Sequence, residues 1–553
     1  MSLARRLLGT HLLGTRWPRW DERTGAGWLL SRSERGNPAT DLPAWTGGNT
    51  VRLLPHGDAY FGELARELAA TGPGDLVLVA GWRMDADQRL GPHTTDQRLG
   101  PHTTVAQALV ASARRGALVR GLVWRSHPSW IVGSRAENLQ VARRVNRAGG
   151  QVLLDHRIRS LGSHHQKFVV VRRPGDPARD VAFVGGLDLA RSRNDDLEHG
   201  GDPLRRKFAE AYGPTPAWHD VQVAVRGPAV RDVEEVFRER WSDPAPMTWL
   251  PWQRLHDALS GLPQRTSPLP APAPAPPAQG QDRVQLLRTY PRRRADGYPF
   301  APDGEFSVAR GFVKAMEQAQ HLVYIEDQYL WSAEVGRILD AALRRAPELR
   351  ILAVCPRYPD QEGLLKVPPS LLGQGLVLRT LSPRVRDRVT LLDLENAAGR
   401  PIYVHAKLCV IDDVWACVGS ANLNRRSWTH DSELSVAVTD GGDADTADRP
   451  GGTFARELRL RLMREHLGRA GGGVDDGDDL ADAAQAVRVL QASAAALDSW
   501  YDGGRQGPRP PGRLRSRLPE RGAAWQRALV RPFYHAAFDP DGRPPGKRLR
   551  RRY

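Results

Sequence analysis

Two stretches far apart in the chain carry the same chemical device. One reads His165-Gln166-Lys167-Phe168-Val169-Val170-Val171, the other His405-Ala406-Lys407-Leu408-Cys409-Val410-Ile411-Asp412. Each sets a His and a Lys two residues apart at the mouth of an apolar run. In an extended strand that spacing points both polar side chains to one face. The run behind them is hydrophobic enough to be buried, so an imidazole and an ammonium are presented together. Two such pairs brought together make a pocket suited to a phosphate diester.

The residues after each pair repeat as well. Val181-Ala182-Phe183-Val184-Gly185-Gly186-Leu187-Asp188-Leu189 lines up with Trp415-Ala416-Cys417-Val418-Gly419-Ser420-Ala421-Asn422-Leu423. Further on, Asp220-Val221-Gln222-Val223-Ala224-Val225 lines up with Glu433-Leu434-Ser435-Val436-Ala437-Val438, a carboxylate before an alternating strand in both. Three matched blocks in the same order indicate a duplicated unit.

These residues resemble the phospholipase D superfamily, whose signature H-x-K-x-x-x-x-D occurs once in each of two halves. His405, Lys407 and Asp412, with Gly419-Ser420-x-Asn422, match it fully, and Asp412 is the motif's structural acid. The first copy departs from it, with Arg172 where the motif has Asp and a longer hairpin, Arg172–Asp180, after it. Asp at such a strand end commonly serves turn formation, so the departure bears on local turn geometry more than on the His/Lys pair. Trp218-His219-Asp220-Val221, Tyr324-Ile325-Glu326-Asp327-Gln328-Tyr329 and Arg464-Glu465-His466-Leu467-Gly468 are similar to further blocks of the eukaryotic-type and related bacterial members. The resemblance covers roughly residues 51–260 and 283–470. It implies an α/β fold of two α/β/α sandwich halves related by a pseudo-two-fold, with the active site at their interface.

Helix-like stretches alternate with strand-like ones, as in 104–116 before 117–125, 308–320 before 321–331, and 333–347 before 348–355. Such alternation predicts helices on both faces of a mostly parallel sheet. The expected layout is an N-terminal extension (1–50), a first half (51–260), a Pro/Ala-rich linker (261–282), a second half (283–470) and a basic C-terminal tail (471–553). The linker's Pro-Leu-Pro-Ala-Pro-Ala-Pro-Ala-Pro-Pro favours extended polyproline II and reads as a surface spacer away from the seam. DQRLGPHTT occurs twice in succession from Asp87 to Thr104. Its His93 and His102 read as part of a duplicated solvent loop rather than a metal site.

Three cysteines, Cys355, Cys409 and Cys417, lie in apolar runs and read as buried small hydrophobes. The opening residues do not read as a secretory signal, and no run of about eighteen apolar residues predicts a membrane span. A soluble, cytoplasmic monomer is expected. The formal net charge is +16, and residues 505–553 hold 14 Lys/Arg against 3 Asp/Glu. That tail reads first as a solvated disordered segment. As a functional element it would attach to an anionic membrane surface, where each basic residue contributes about 1 kcal/mol; nucleic acid meets the same electrostatic demand. Met247-Thr248-Trp249-Leu250-Pro251-Trp252 reads as packed between core elements in preference to an apolar loop entering lipid.

Attack on a phosphodiester spreads negative charge over the non-bridging oxygens. Lys167 and Lys407 would neutralise it at fixed positions, a task metal ions perform elsewhere. No carboxylate cluster of metal-binding spacing lies near either motif, so metal-free catalysis without a cofactor is expected. Asn422 and Ser420, with Asp188 and the Gly185-Gly186 backbone, would complete a phosphate pocket. One His would attack phosphorus to give a phosphohistidine while the other protonates the leaving alcohol. The resemblance assigns His165 as nucleophile and His405 as general acid/base, a choice the symmetry of the motifs leaves open. Asp220 and Glu433 would orient the imidazoles. The expected function is a phospholipase D acting on glycerophospholipids, releasing phosphatidate or passing the phosphatidyl group to an alcohol. Three alternatives stay open, in descending order: a cardiolipin synthase-like transferase, a nucleic-acid phosphodiesterase of the same superfamily, and a non-catalytic lipid- or nucleic-acid-binding protein.

Overall fold

The computed structural model describes residues 25–91, 103–126, 134–204, 208–293, 297–360, 367–440, 453–469, 478–517, 530–550 and 553. The strands of the first half are β1 (Thr46–Pro55), β2 (Leu76–Gly81), β3 (Leu118–Trp124), β4 (Gln151–Asp155), β5 (Phe168–Arg172), β6 (Val181–Gly185), β7 (Ala217–His219) and β8 (Val221–Arg226). Their sheet runs β1-β8-β6-β5-β2-β3-β4, with β7 outside it. The second half contributes β9 (Asp282–Tyr290), β10 (Glu305–Phe306), β11 (Leu322–Asp327), β12 (Arg350–Val354), β13 (Val389–Glu395), β14 (Pro401–Val404), β15 (Lys407–Ile411), β16 (Trp415–Gly419), β17 (Glu433–Thr439) and β18 (Leu514–Ser516). Its order, β9-β17-β16-β15-β11-β12-β13, repeats the first strand for strand. The edge strands β1 and β9 pair with each other through Thr46↔Val284 and Asn49↔Asp282, joining the sheets about the pseudo-two-fold.

The sheets are mixed, which corrects the expectation of mostly parallel pairing. Within the two seven-strand orders, β2-β3-β4 and β11-β12-β13 run parallel, because these follow helical crossovers, and the other neighbours are antiparallel. The His/Lys strands β5 and β15 open hairpins with β6 and β16 and pair antiparallel on both sides. The period of two then sorts the side chains. Val169 and Val171 pack outward against helices His56–Ala69, Val105–Arg114 and Arg135–Arg147. Phe168 and Val170 face a core shared by both halves, which also holds Val410 and Val436 and two helices, Ala229–Trp241 and Phe454–His466. Helices Ser307–Gln318 and Ala333–Arg345 close the outer face of the second sheet.

The two motif ends differ as the sequence does. Asp412, with φ at 52°, accepts N–H bonds from Gln320 (2.7 Å), His321 (2.9 Å) and Leu322 (2.8 Å), clamping the entry to β11. Arg172 sits at the far end of β5 from His165. It is 1% exposed and bonds Asp180 (2.7 Å), Glu234 and the Pro274 carbonyl (2.6 Å). The missing motif acid is thus replaced by a cation that fastens the Pro-rich linker to the first half.

Strand β1 begins at Thr46, five residues inside the expected extension, and the segment before it docks on the second half through Arg35–Glu305 (2.8 Å). The described parts of the basic tail correct the expectation of a disordered segment. β18 extends the second sheet beside β13 and Tyr553 is 1% exposed, while helix Ala483–Asp502, which precedes that segment, packs on the shared core. Part of the tail's charge is spent internally, in Arg509 and Arg515 on Glu395 and Arg543 on Glu334 and Asp541. Packing is also the wrong expectation for the Trp segment. Met247 is buried, but Trp249 and Trp252 are 56% and 65% exposed beside the exposed Leu255 and Leu259 of helix Pro251–Leu259. All three cysteines are buried and free. His93 and His102 lie outside the described residues. Among the described residues no helix is long and apolar enough to cross a membrane.

Candidate active site

The seam is organised by backbone before any side chain. β14 runs parallel to β7, pairing Val404 with His219, and the next N–H, of His405, donates to the His219 carbonyl at 2.7 Å. On the other side of the two-fold the His165 N–H donates to the Ser432 carbonyl at 2.9 Å. In each case the acid is the very next residue. The arrangement therefore sets each imidazole against the carboxylate of the opposite half. His405 Nδ1 lies 2.6 Å from Asp220 Oδ2, and His165 Nδ1 lies 2.9 and 3.1 Å from the two Glu433 oxygens. With Nδ1 engaged, Nε2 of each ring is left for chemistry. The rings retain 17% (His165) and 9% (His405) exposure while both acids are fully buried, so the seam opens on the histidine side.

Charge around the rings is arranged to match. Lys167 Nζ donates to the His165 carbonyl (3.1 Å) and pairs with Asp188 (3.2 Å). Lys407 Nζ donates to the His405 carbonyl and to Gln328 Oε1 (3.1 Å). Burial, then the charges of Lys167 and Lys407, holds the His165 imidazole well below its ordinary value. Burial, then Lys407, Arg193 and Lys167, does the same to His405. Burial pushes the Asp220 carboxyl up to about 6 and, with repulsion from Asp431, that of Glu433 up to about 8. Burial and the lysines thus disfavour the imidazolium in each half while burial disfavours the carboxylate, so each ring and its acid share protons as one coupled pair. Burial also lowers Lys407 to about 7, since it shares this dry site with a second ammonium.

Of the five residues expected to bind phosphate, four act within the protein instead. The Gly185 N–H donates to the Lys167 carbonyl (3.4 Å) and that of Gly186 to the Val221 carbonyl (3.1 Å), so neither is free for a ligand. A Cβ on Gly186 would lie 2.1 Å from Asp220 Oδ1, so this glycine makes room for the orienting acid. Asp188 accepts the Trp82 and Arg83 N–H groups (3.1 and 3.0 Å) and holds Lys167, and a carboxylate would in any case repel phosphate. Ser420 Oγ donates to Glu433 Oε2 at 2.5 Å, fixing the acid. Asn422 is buried, and its Oδ1 has no hydrogen-bond partner among the described residues.

Several neighbours escaped the sequence reading. Gln328 bridges Lys407 to the Tyr403 hydroxyl (2.7 Å), and both line a cleft with Tyr329, Trp331, Tyr358 and the tail residue Arg517. Tyr403 had a signal, the two-residue spacing that puts it on the same strand face as His405. Asp327, at the end of β11, accepts the N–H groups of Leu423 (2.8 Å), Tyr329 (2.8 Å) and Leu330 (2.7 Å). Arg193, stacked 3.6 Å above the Trp218 ring that packs on His405, had none.

Comparison with known proteins finds two family models that match the chain. The family model described as phospholipase D matches residues 69–336, and that described as cardiolipin synthase, PLD-like domain, matches residues 312–450. Among curated proteins the chain is 25% identical to phospholipase D alpha 2 of Oryza sativa subsp. japonica over 76% of its own length and 59% of that protein's. It is 26% identical to phospholipase D1 of Saccharomyces cerevisiae, over 55% and 22%. Its backbone is similar to that of the phosphatidylserine synthase of Haemophilus influenzae at 12% identity, covering 71% of this chain and 82% of that one with a TM-score of 0.46. The chain belongs to the phospholipase D superfamily. It spans about three fifths or less of the length of these curated relatives.

Proposed function

We propose that this protein is a phosphodiesterase and phosphatidyl transferase acting on glycerophospholipids through a phosphohistidine. The observation that carries the reading is the crossed exchange of acids, His165 with Glu433 and His405 with Asp220, beside two lysines. His165 Nε2 attacks phosphorus as the bond to the headgroup oxygen breaks, and that oxygen takes a proton from His405. His405 then removes a proton from water or an alcohol, whose oxygen displaces His165 and yields phosphatidate or a phosphatidyl alcohol. Glu433 stabilises the positive charge that the phosphorylated His165 ring acquires, and Asp220 does so for His405. Lys167, Lys407 and Asn422 face the charge developing on the non-bridging oxygens, so the step requires no metal ion at phosphorus. The choice of His165 as nucleophile follows the family resemblance.

A lipid substrate is supported by the relatives' names and by one surface. Trp249, Trp252, Leu255 and Leu259 are exposed, and the charges of the half-buried Arg135 and Arg143 reach His256 on the helix that carries the last three. Indole with arginine suits an anionic interface. The test offers the full chain either mixed phosphatidylcholine/phosphatidylglycerol vesicles with ethanol, or single-stranded DNA. Phosphatidate and phosphatidylethanol should form, and disappear in His165→Ala and His405→Ala. Trp252→Ser should lose activity on vesicles and keep it on short-chain monomeric phospholipid. DNA cleavage with untouched lipid would overturn the reading.

A further inference from the structure

Behind Asp220 lies a buried cluster that the phosphodiester chemistry does not use. Glu465 Oε1, from helix Phe454–His466, is 2.9 Å from His56 Nε2, 3.1 Å from His199 Nε2 and 3.5 Å from His219 Nδ1. All four ligand atoms lie within 4.8 Å of one another, and all four side chains are 0–1% exposed. We propose that His56, His199, His219 and Glu465 form a structural zinc site that staples the two halves together.

Three observations carry it. With zinc–nitrogen and zinc–oxygen bonds of about 2.0–2.1 Å, tetrahedral ligands stand roughly 3.3 Å apart, close to the three separations seen here. As a hydrogen-bonded cluster the group is ill-matched. Three imidazoles crowd one oxygen while Glu465 Oε2, His56 Nδ1 and His219 Nδ1 are buried with no hydrogen-bond partner. Convergence on one point suits a cation better than a proton network. Two of the four residues, His56 (φ 60°) and His199 (φ 55°), also hold the left-handed backbone that non-glycine residues avoid, a strain that aims both rings inward.

The outer shell is that of a bound metal. Glu326 Oε2 is 2.5 Å from His219 Nε2, a carboxylate that fixes ring orientation and raises ligand basicity, and Asp195 Oδ2 lies 3.6 Å from His199 Nδ1. Three imidazoles and one carboxylate select a borderline ion such as zinc, and four protein ligands close the coordination sphere, so the site is structural. Three ligands come from the first half and one from the second. His219 also carries the carbonyl that accepts the His405 N–H and directly precedes Asp220, so the metal would fix the strand that orients His405.

The test measures metal in the full chain, expressed with zinc and purified without a metal-affinity column. One equivalent of zinc per chain is expected. A melting temperature lowered by dipicolinate should be restored by zinc, and cobalt added to the stripped protein should give the visible bands of a tetrahedral ion. His199→Gln, remote from phosphorus, should lose the metal and the bands while its circular dichroism is kept. Metal-free wild-type protein whose melting is unmoved by chelator or zinc would overturn the proposal, as would tetrahedral bands that persist in His199→Gln.

Discussion

At the residue scale, the account turns on two carboxylates that touch no substrate. Asp220 and Glu433 each hold the histidine of the other half, so removing either charge should act on turnover and not on binding. Asp220→Asn and Glu433→Gln are each expected to lower kcat by about 10²-fold or more, the range of general acid–base contributions, with KM little changed. Steady-state kinetics checks this, and equal losses in kcat and 1/KM would contradict a positioning role. The His/Lys pairs and both acids were legible because strand periodicity puts i and i+2 on one face. That the acids cross between halves was not legible, because it depends on which carbonyl, His219 or Ser432, each His N–H finds. That Gly185, Gly186, Asp188 and Ser420 already have partners inside the protein was not legible for a related reason. A motif shows which residue types recur, and only the folded chain shows which N–H groups are already consumed.

At the scale of elements, the lapse of the first motif from Asp to Arg is a local exchange of one clamp for another. Arg172 bonds Asp180, Glu234 and the linker at the end of β5 remote from His165. Arg172→Leu takes the buried guanidinium from Asp180, which keeps the Arg173 N–H, and from Glu234, which keeps Arg238, and should cost about 3 kcal/mol of stability. kcat/KM should stay within a few-fold at temperatures where the variant is folded. A loss of several hundred-fold in the folded variant would bring Arg172 into the site. The strand and helix sequence was readable from alternation and apolar runs, and its boundaries shift by only a few residues. Strand direction was not readable, since hairpins and crossovers look alike in hydropathy: the β5–β6 and β15–β16 hairpins turn most of each sheet antiparallel.

At the scale of the molecule, segments outside the duplicated units bind them together. Glu305 accepts from Arg35 (2.8 Å), Arg288 (2.6 Å), Asn37 (2.8 Å) and Ser307 (2.7 Å), fastening the segment before β1 to the second half. Burial pushes the Glu305 carboxyl up, but Arg288 and Arg35 more than reverse it, to about 2. A depressed carboxyl contributes stability that is present above its unfolded value near 4.5 and is lost as pH falls towards 2. The contribution is about 3 kcal/mol. Unfolding free energies between pH 5 and 2 should therefore lose about one proton's slope in Glu305→Gln, and an unchanged slope would contradict the linkage. The tail, which composition marked as disordered, folds because its arginines meet Glu395, Glu334 and Asp541, partners that no charge count reveals. The claim on which the rest depends is a covalent bond between His165 and phosphorus, made across the seam and released by His405. Phosphatidyl-p-nitrophenol isolates it, because its leaving group needs no acid. With His405→Ala the account predicts a burst of one p-nitrophenol per chain and a phosphatidyl mass on the peptide bearing His165. Absence of that adduct, with p-nitrophenol release persisting in His165→Ala, would contradict it.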